Sequence, residues 1–582
     1  MRSLILGGLL SALLAGAALA GEPAASSGTG GMADMSGMDT MPGMGQMRMP
    51  PMPAAYAGEA DKPGAPVFAG LGDHKHPIST KNPETQKFFD QGVNLMFGFN
   101  HAEAIRSFRE GARLDPDCAM CWWGVAVALG PNINMTMPDD AVAPAWQALQ
   151  RAVALEPKAT PLERAWIEAL RARYAEHPPA DRHALDEAWA TAMGALWKAH
   201  PEDLDAGTFY AEAMMDTQPW DYWRLDGVTP KGHALDIVST LETVIRRDPN
   251  HPGALHLYLH AMEATTTPER AEAAADRLEV LMPGAGHIVH MPSHIYYRVG
   301  RYKDAAHVNE LAATVDEGYI AACKAQGYYP VGYYGHNIHF LWTSSEMQGR
   351  YQASIDAARR LVAAIGQFPG AAEDTGSEPY ELTPVATLLR FGKWDAILTE
   401  PAPLATHKVQ TAVWLYARGF AHANKGDLAA ARADRETLGD LATKTDFSSY
   451  AASHTPAHDM ADIALALLDG EIARVSGNLP DAIGRFRLAW TLEQGLPYNE
   501  PPYWHQPTSH ILGAALLQAR RPAEAEAVYR QSLKTYRDDG WALHGLIAAL
   551  EAQGKTSDAA KARDAFARAW QLADVTPETS RF

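Results

Sequence analysis

From about Pro83 onward, apolar residues recur at steps of three and four, in stretches dominated by Ala, Leu, Arg, Glu and Trp. That step is the turn of an α-helix, so each stretch presents an apolar stripe to a core. Short loops marked by Gly, Asp-Pro or Asn-Pro separate the stretches, and no alternating strand pattern appears between them. The pattern predicts an all-α chain, built helix after helix. Residues 21–70 differ. Gly, Pro, Ala, Ser and Met dominate there without an apolar period, and a segment with so little to bury is expected to be a disordered tail.

The helical stretches repeat. GVNLMFGFNHAEAIRSFREGARLDPD sets Gly92, Leu95, Ala104, Phe108 and Pro116 at the spacing of a tetratricopeptide unit. A second copy holds Gly300 and Ala305, and a third holds Gly470, Gly477, Ala482, Phe486 and Ala489. A fourth holds Leu512, Gly513, Ala523, Ala525 and Tyr529, while Ala271 and Ala431 mark two more. Small residues let the two helices of a hairpin approach, the aromatic fills the gap between hairpins, and proline ends the second helix. Stacked hairpins bury a continuous core, so the expected architecture is a tetratricopeptide-type superhelix, an α-solenoid, with one concave face. Its repeats are divided into 71–320 and 321–575.

TQKFFDQGVNLMFGFNHAEAIRSF, CAMCWWGVAVALGPNIN, GHIVHMPSHIYYRVGRYKDA and YNEPPYWHQPTSHILGAALL together resemble a family of bacterial exported tetratricopeptide proteins, over nearly all of the chain from about residue 71. The resemblance implies the fold and an exported location. It implies no biochemical role.

Histidines supply the chemistry. His256, His260 and Glu263 follow one another at steps of four and three in HLYLHAME, which puts them on one helix face. His287, His290 and His294 follow in GHIVHMPSH, and His336 and His339 in GHNIH. Further pairs are His454 with His458 beside Asp459, His505 with His510, and His74 with His76. Ala271 and Pro283 fix one repeat at about 252–285, Gly300 and Ala305 fix the next at about 286–319, and Gly349 sets another near 335–368. In tetratricopeptide proteins the second, fifth, ninth and twelfth places of each first helix line the concave groove. His256, His260 and Glu263 fall at the fifth, ninth and twelfth places. His287, His290 and His294 fall at the second, fifth and ninth, His336 and His339 at the second and fifth, and His510 at the fifth. Imidazoles from successive repeats are thus expected to face one cavity. Pro292 predicts a late helix start that leaves His287 and His290 in the loop leading to it. Imidazole suits copper, zinc, iron and nickel, and a nearby carboxylate would complete a first or outer shell. Tyr296, Tyr297, Tyr333, Tyr334 and Trp504 are assigned to groove lining or packing.

A second set of metal donors lies in the tail. Met32, Met35, Met38, Met41, Met44 and Met47 recur at strict intervals of three, followed by Met49 and Met52. Little else in the segment is apolar enough to pack with them. Thioether sulfur is a soft ligand that selects Cu(I) over hard cations, and a flexible spacing lets several sulfurs converge on one ion. The tail resembles the methionine-rich segments of exported copper-handling proteins, a resemblance that implies copper. A low-complexity linker or an oxidant trap is the alternative. His74 and His76 stand just before the first repeat, either as a relay from tail to groove or as part of a surface loop.

Arg2 precedes an apolar run that ends in Ala18-Leu19-Ala20, a small-residue cleavage pattern. Residues 1–20 are therefore expected to be a cleavable signal peptide, placing the mature chain in the periplasm or outside the cell. No later apolar run is long enough to span a bilayer. A net charge of −19 without a basic block argues against nucleic acid as a partner. Cys118, Cys121 and Cys323 are too few for a disulfide framework. Cys118 and Cys121 read as a local disulfide, a thiol pair or two buried small residues. G-x-S-x-G, the P-loop, the dinucleotide fingerprint and H-E-x-x-H are all absent. The expected function is transition-metal binding through the tail and a His-lined groove, with copper first and zinc or iron as alternatives. The competing expectations are a scaffold that holds a protein or peptide partner in the groove, and a His-ligated metalloenzyme.

Overall fold

Capping residues set where the helices begin. Asn82 accepts the Glu84 N–H ahead of Pro83, and Thr160 and Glu163 form a reciprocal capping box. In the computed structural model, which describes residues 56, 64–325, 328–367, 375–451 and 455–582, the helices run from Pro83 to Ala569. The expected signal peptide, the methionines from Met32 to Met52, and His454 lie outside the described residues. Among the described residues there are no strands, only two isolated bridges, Asn132 with Met135 and Trp223 with Pro230. No described helix is long and apolar enough to cross a membrane.

Successive helices pack as antiparallel hairpins. Pro83–Phe97 lies against His101–Leu114, Lys408–Asn424 against Leu428–Lys444, Ala457–Val475 against Leu479–Gln494, and Thr508–Gln518 against Pro522–Thr535. The repeat signature is visible as packing. Phe108 is fully buried between Gly92 of its own hairpin and Gly124 of the next helix, where an added Cβ would stand 2.5 Å from its ring in either case. Tyr529 stands in the same way between Gly513 and Gly545. The fold is a tetratricopeptide-type α-solenoid. Cys118 and Cys121 are joined by a disulfide at the start of helix Ala119–Ala128, and Cys323 is buried and free.

The superhelix closes on itself. The Trp541 indole donates to the Glu346 carbonyl at 3.0 Å, Arg537 pairs with Glu269 at 3.0 Å, and Asp574 accepts the Tyr351 N–H at 2.6 Å. The last repeats thus return to the middle of the array. The loop between Gln494 and Thr508 is carried over the face on which the histidines lie.

Overpacking tests the repeat geometry. Gly92→Val should lower unfolding free energy by about 1–3 kcal/mol, because the new side chain and Phe108 cannot share the space. Chemical denaturation measures this, and an unchanged midpoint would contradict the packing.

Candidate metal centre

Helix Pro252–Glu263 starts at His251, whose Nδ1 accepts the Ala254 N–H. From that start, the steps of four and three bring His256, His260 and Glu263 to one buried face. The next repeat begins with two short helices. His287 and His290 lie within helix Gly286–His290, not in a loop, because Pro292 opens a separate helix, Pro292–Val299, that carries His294. His336 comes from helix Tyr333–Met347. His256, His260, His287, His290 and His294 are each 0–2 % exposed, and His336 is half-buried. The face expected to line an open groove is enclosed here.

The six rings form two triads. In the first, His256 Nε2 lies 3.1 Å from His260 Nε2 and 3.2 Å from His287 Nε2. In the second, His294 Nε2 lies 2.9 Å from His290 Nε2 and 3.4 Å from His336 Nε2. Each triad follows one rule, the fifth and ninth places of one repeat joined by the second place of the next. The triads adjoin, with ring centroids 5.6 Å apart for His260 and His294 and 5.7 Å for His287 and His290.

Outer groups fix the protons. His256 Nδ1–H donates to the Phe97 carbonyl at 2.6 Å, and His290 Nδ1–H to Asn309 Oδ1 at 2.6 Å. Asn309 is itself oriented by donating its amide to the Ala305 carbonyl. Glu263 serves both triads, accepting from His260 Nδ1–H at 2.9 Å and from His294 Nδ1–H at 2.6 Å. A neutral imidazole with its proton on Nδ1 has a bare lone pair on Nε2. The contact from His256 to His260 therefore sets lone pair against lone pair. Extra protons are no remedy. Burial, followed by the neighbouring imidazoles, holds His256, His287, His290 and His336 well below the ordinary histidine value. Burial also lowers His260, even beside Glu263. Glu263 stays ionised, because His294 and His260 outweigh the upward push of its burial.

One phenylalanine closes each triad. Phe99 has its centroid 4.6, 6.3 and 5.2 Å from those of His256, His260 and His287. Phe340 lies 5.0, 4.6 and 5.1 Å from His290, His294 and His336. Tyr333 packs on His287, and Trp220 edges His260. From the far end of the chain, the Tyr498 hydroxyl donates to Glu500 at 2.5 Å and stands 3.3 Å from Glu263, while Glu500 lies 3.8 Å from His294 Nδ1 and from Arg298.

No family model matches the chain, and no curated protein matches it. Among solved structures, the human IFIT1 dimer with m7Gppp-AAAA is similar at 12% identity and a TM-score of 0.30, over 86% of this chain and 92% of that one. Yeast Tom70 is similar at 12% identity and a TM-score of 0.27, over 82% of this chain and 90% of that one. The TPR domain of P58(IPK) is similar at 11% identity and a TM-score of 0.20, over 81% of this chain and 99% of that one. Superpositions this low carry no functional meaning for this chain.

The remaining histidines lie elsewhere. His339 does not join the centre. Its ring stacks on Trp342 at 5.2 Å and edges Tyr380, because the turn from His336 to His339 carries it to the side facing the next hairpin. His510 accepts from Arg390 at 3.0 Å and has Nε2 2.5 Å from Asp539, which caps helix Gly540–Glu551. His505 is buried beside Trp504, and His458 is exposed beside Asp462. His74 and His76 are not on a surface loop. Both contact buried Asp205, at 3.0 and 2.7 Å, and His251 Nε2 does so at 3.0 Å. Since His251 Nδ1 accepts a backbone N–H, its Nε2 carries the proton and donates to Asp205. This cluster is a clasp that ties the segment before the first repeat to helix Leu204–Asp216.

The sequence reading missed the Phe97 carbonyl, Phe99, Asn309, Phe340, Tyr498 and Glu500. Only Phe340 stands at a periodic position shared with the histidines, four residues after His336 on helix Tyr333–Met347. The only sequence signal is the density of aromatic residues around them.

The clasp has a defined pH window. Burial lowers the pKa of His74 and His76, but Asp205 more than offsets this and raises both above 6.5. Their contribution is full below that pH and is lost as pH rises through the folded values. Three histidines depress Asp205 well below 3.8 against its burial, so its contribution is present above 3.8 and is lost as pH falls through the folded value. Hydrogen exchange over residues 64–82 should accelerate on both sides of that window. Asp205→Asn should cost roughly 3–5 kcal/mol, as expected for a buried charge pair that loses one partner.

Proposed function

We propose that this protein binds transition-metal ions, one on each histidine triad, with copper first and zinc or iron as the ions the same donors also accept. The observation that carries the reading is the convergence of ring nitrogens within each triad, 3.1 Å for His256 and His260, whose lone pairs face each other, and 2.9 Å for His290 and His294. Two nitrogens each about 2.0–2.1 Å from one tetrahedral ion stand about 3.3 Å apart. A cation between them turns a repulsive contact into a bonding one. The outer groups match what metal-bound imidazoles need, an acceptor on Nδ1 that fixes the tautomer and raises ligand basicity.

Imidazole alone does not choose the metal. Copper comes first because the tail offers soft sulfurs at Met32, Met35, Met38, Met41, Met44 and Met47. In this reading residues 1–20 direct export, and the tail collects Cu(I) outside the cytoplasm and passes it to the buried centre. The enclosure of the rings favours a metal over a peptide at these positions.

Elemental analysis of the full-length protein, purified from its native compartment and after anaerobic loading, tests the reading. One ion per triad is expected, falling by half in the His256→Ala/His260→Ala variant. Deleting residues 21–60 should slow loading from a Cu(I) chelate and leave the final content unchanged. Copper affinity no tighter than micromolar, or a content indifferent to the paired substitution, overturns it. Loading should also raise the thermal midpoint, and a chelator should reverse the rise, since an ion held only by the native state stabilises that state.

A further inference from the structure

We infer that the cavity behind Tyr498 and Glu500 is a binding site for a small uncharged phenol, a single aromatic ring that carries a hydroxyl group. The inference concerns the protein's own side chains and does not rest on the metal reading.

Closure of the superhelix assembles the site. Helix Pro292–Val299 supplies Tyr297 and Arg298, the end of helix Leu479–Gln494 supplies Glu493, and Tyr536 caps helix Pro522–Thr535. The loop between Gln494 and Thr508 supplies Tyr498, Glu500, Tyr503 and Trp504. Together they enclose about 150 Å³. An apolar cavity of about this volume holds one benzene ring, and that sets the size of the ligand. An occupant lies directly behind Tyr498, whose hydroxyl is 3.3 Å from Glu263, and behind Glu500, which is 3.8 Å from His294.

The walls set its shape. Five of the lining side chains are aromatic, namely Tyr297, Tyr498, Tyr503, Trp504 and Tyr536. Two of these already engage their hydroxyls, Tyr297 with Thr343 at 3.4 Å and Tyr498 with Glu500, and need nothing from an occupant. Flat apolar walls of this kind favour a flat ring, packed offset or edge to face. A sugar, with hydroxyl groups around its whole rim, would leave most of them unpaired. Leu496 and Pro502 are half-buried and Pro497 is exposed, which gives the ring a way in from solvent.

Charge decides the head group. Among the described residues Arg298 is the only cation in the lining, beside two carboxyl groups, Glu493 and Glu500. A ligand ammonium would meet the charge of Arg298. A ligand carboxylate would require both glutamates to keep their protons. A hydroxyl requires neither, because it accepts and donates at once. Arg298 is the donor to it. The Thr265 carbonyl at 3.0 Å and the face of Tyr498 at 5.3 Å hold the guanidinium in place, so a ligand has little ordering to do. Glu493 is the acceptor. The Thr508 N–H, at 2.9 Å, and the Thr508 hydroxyl both bond to Oε2, which leaves Oε1 for the ligand.

Isothermal titration calorimetry on the full-length protein, with and without chelator, tests the site with phenol as the probe. One phenol per chain is expected under both conditions. Toluene, benzoate and benzylamine should each bind more weakly by about tenfold or more, the cost of a lost hydrogen bond or of a charge without a partner. Glu493→Gln should weaken phenol by about tenfold, as one lost acceptor predicts, and leave toluene unchanged. Leu496→Trp, which fills the cavity from its rim, should abolish phenol binding at an unchanged thermal midpoint, and Pro502→Trp should do the same if that variant does not fold. Absence of phenol binding, or phenol binding indifferent to a filled cavity, overturns the inference. Toluene, benzoate or benzylamine binding as tightly as phenol overturns it too. No metal enters the measurement, so failure here leaves the metal reading standing, and a chain that holds no metal leaves this site standing.

Discussion

One carboxylate orders the centre. Glu263 is ionised and buried, and it accepts an N–H from His260 on its own helix and another from His294 in the next repeat. Those two bonds turn Nδ1 of both rings toward the carboxylate and Nε2 toward their triads, and they do so from a point between the triads. Without that anchor, His260 and His294 could turn and hydrogen-bond to neighbouring imidazoles, and the histidines would relax into an ordinary buried polar network. A buried anion is costly unless it is fully partnered. Here its partners are the rings whose orientation it sets.

The scaffold makes such an arrangement easy to build. Each repeat offers the same few inward places, so a pair of residues placed four apart meets a third from the following repeat without any irregular backbone. Doing this twice, one repeat apart, gives adjoining sets of donors. The proline at 292 is the one departure. By dividing the helix it lets His287 and His290 project from a turn of their own while His294 keeps its place on the next.

Much of this was legible in sequence because it is local. Helical period, the glycines facing Phe108 and Tyr529, and the inward register of His256, His260, Glu263, His287, His290, His294 and His336 all follow from spacing within a repeat or between neighbours. What spacing could not supply was the grouping of the rings into two sets of three, since that depends on how far one hairpin rotates against the next. His339 stacks on Trp342 instead, although its place in the repeat matches that of His256. The groups that close the site come from loops or from hundreds of residues away, as with Phe99, Tyr498 and Glu500, and no periodicity reports them. The methionine series lies outside the described residues, and its part rests on sulfur chemistry alone.

The return of the last repeats to the middle of the array has a consequence for how the molecule matures. Tyr498 lies 235 residues beyond Glu263, so a ribosome finishes the six histidines long before it makes the segment that covers them. The cover over the imidazoles is therefore a long-range contact, set only after the helices between have stacked, so closure of the centre depends on the packing of the whole array between them.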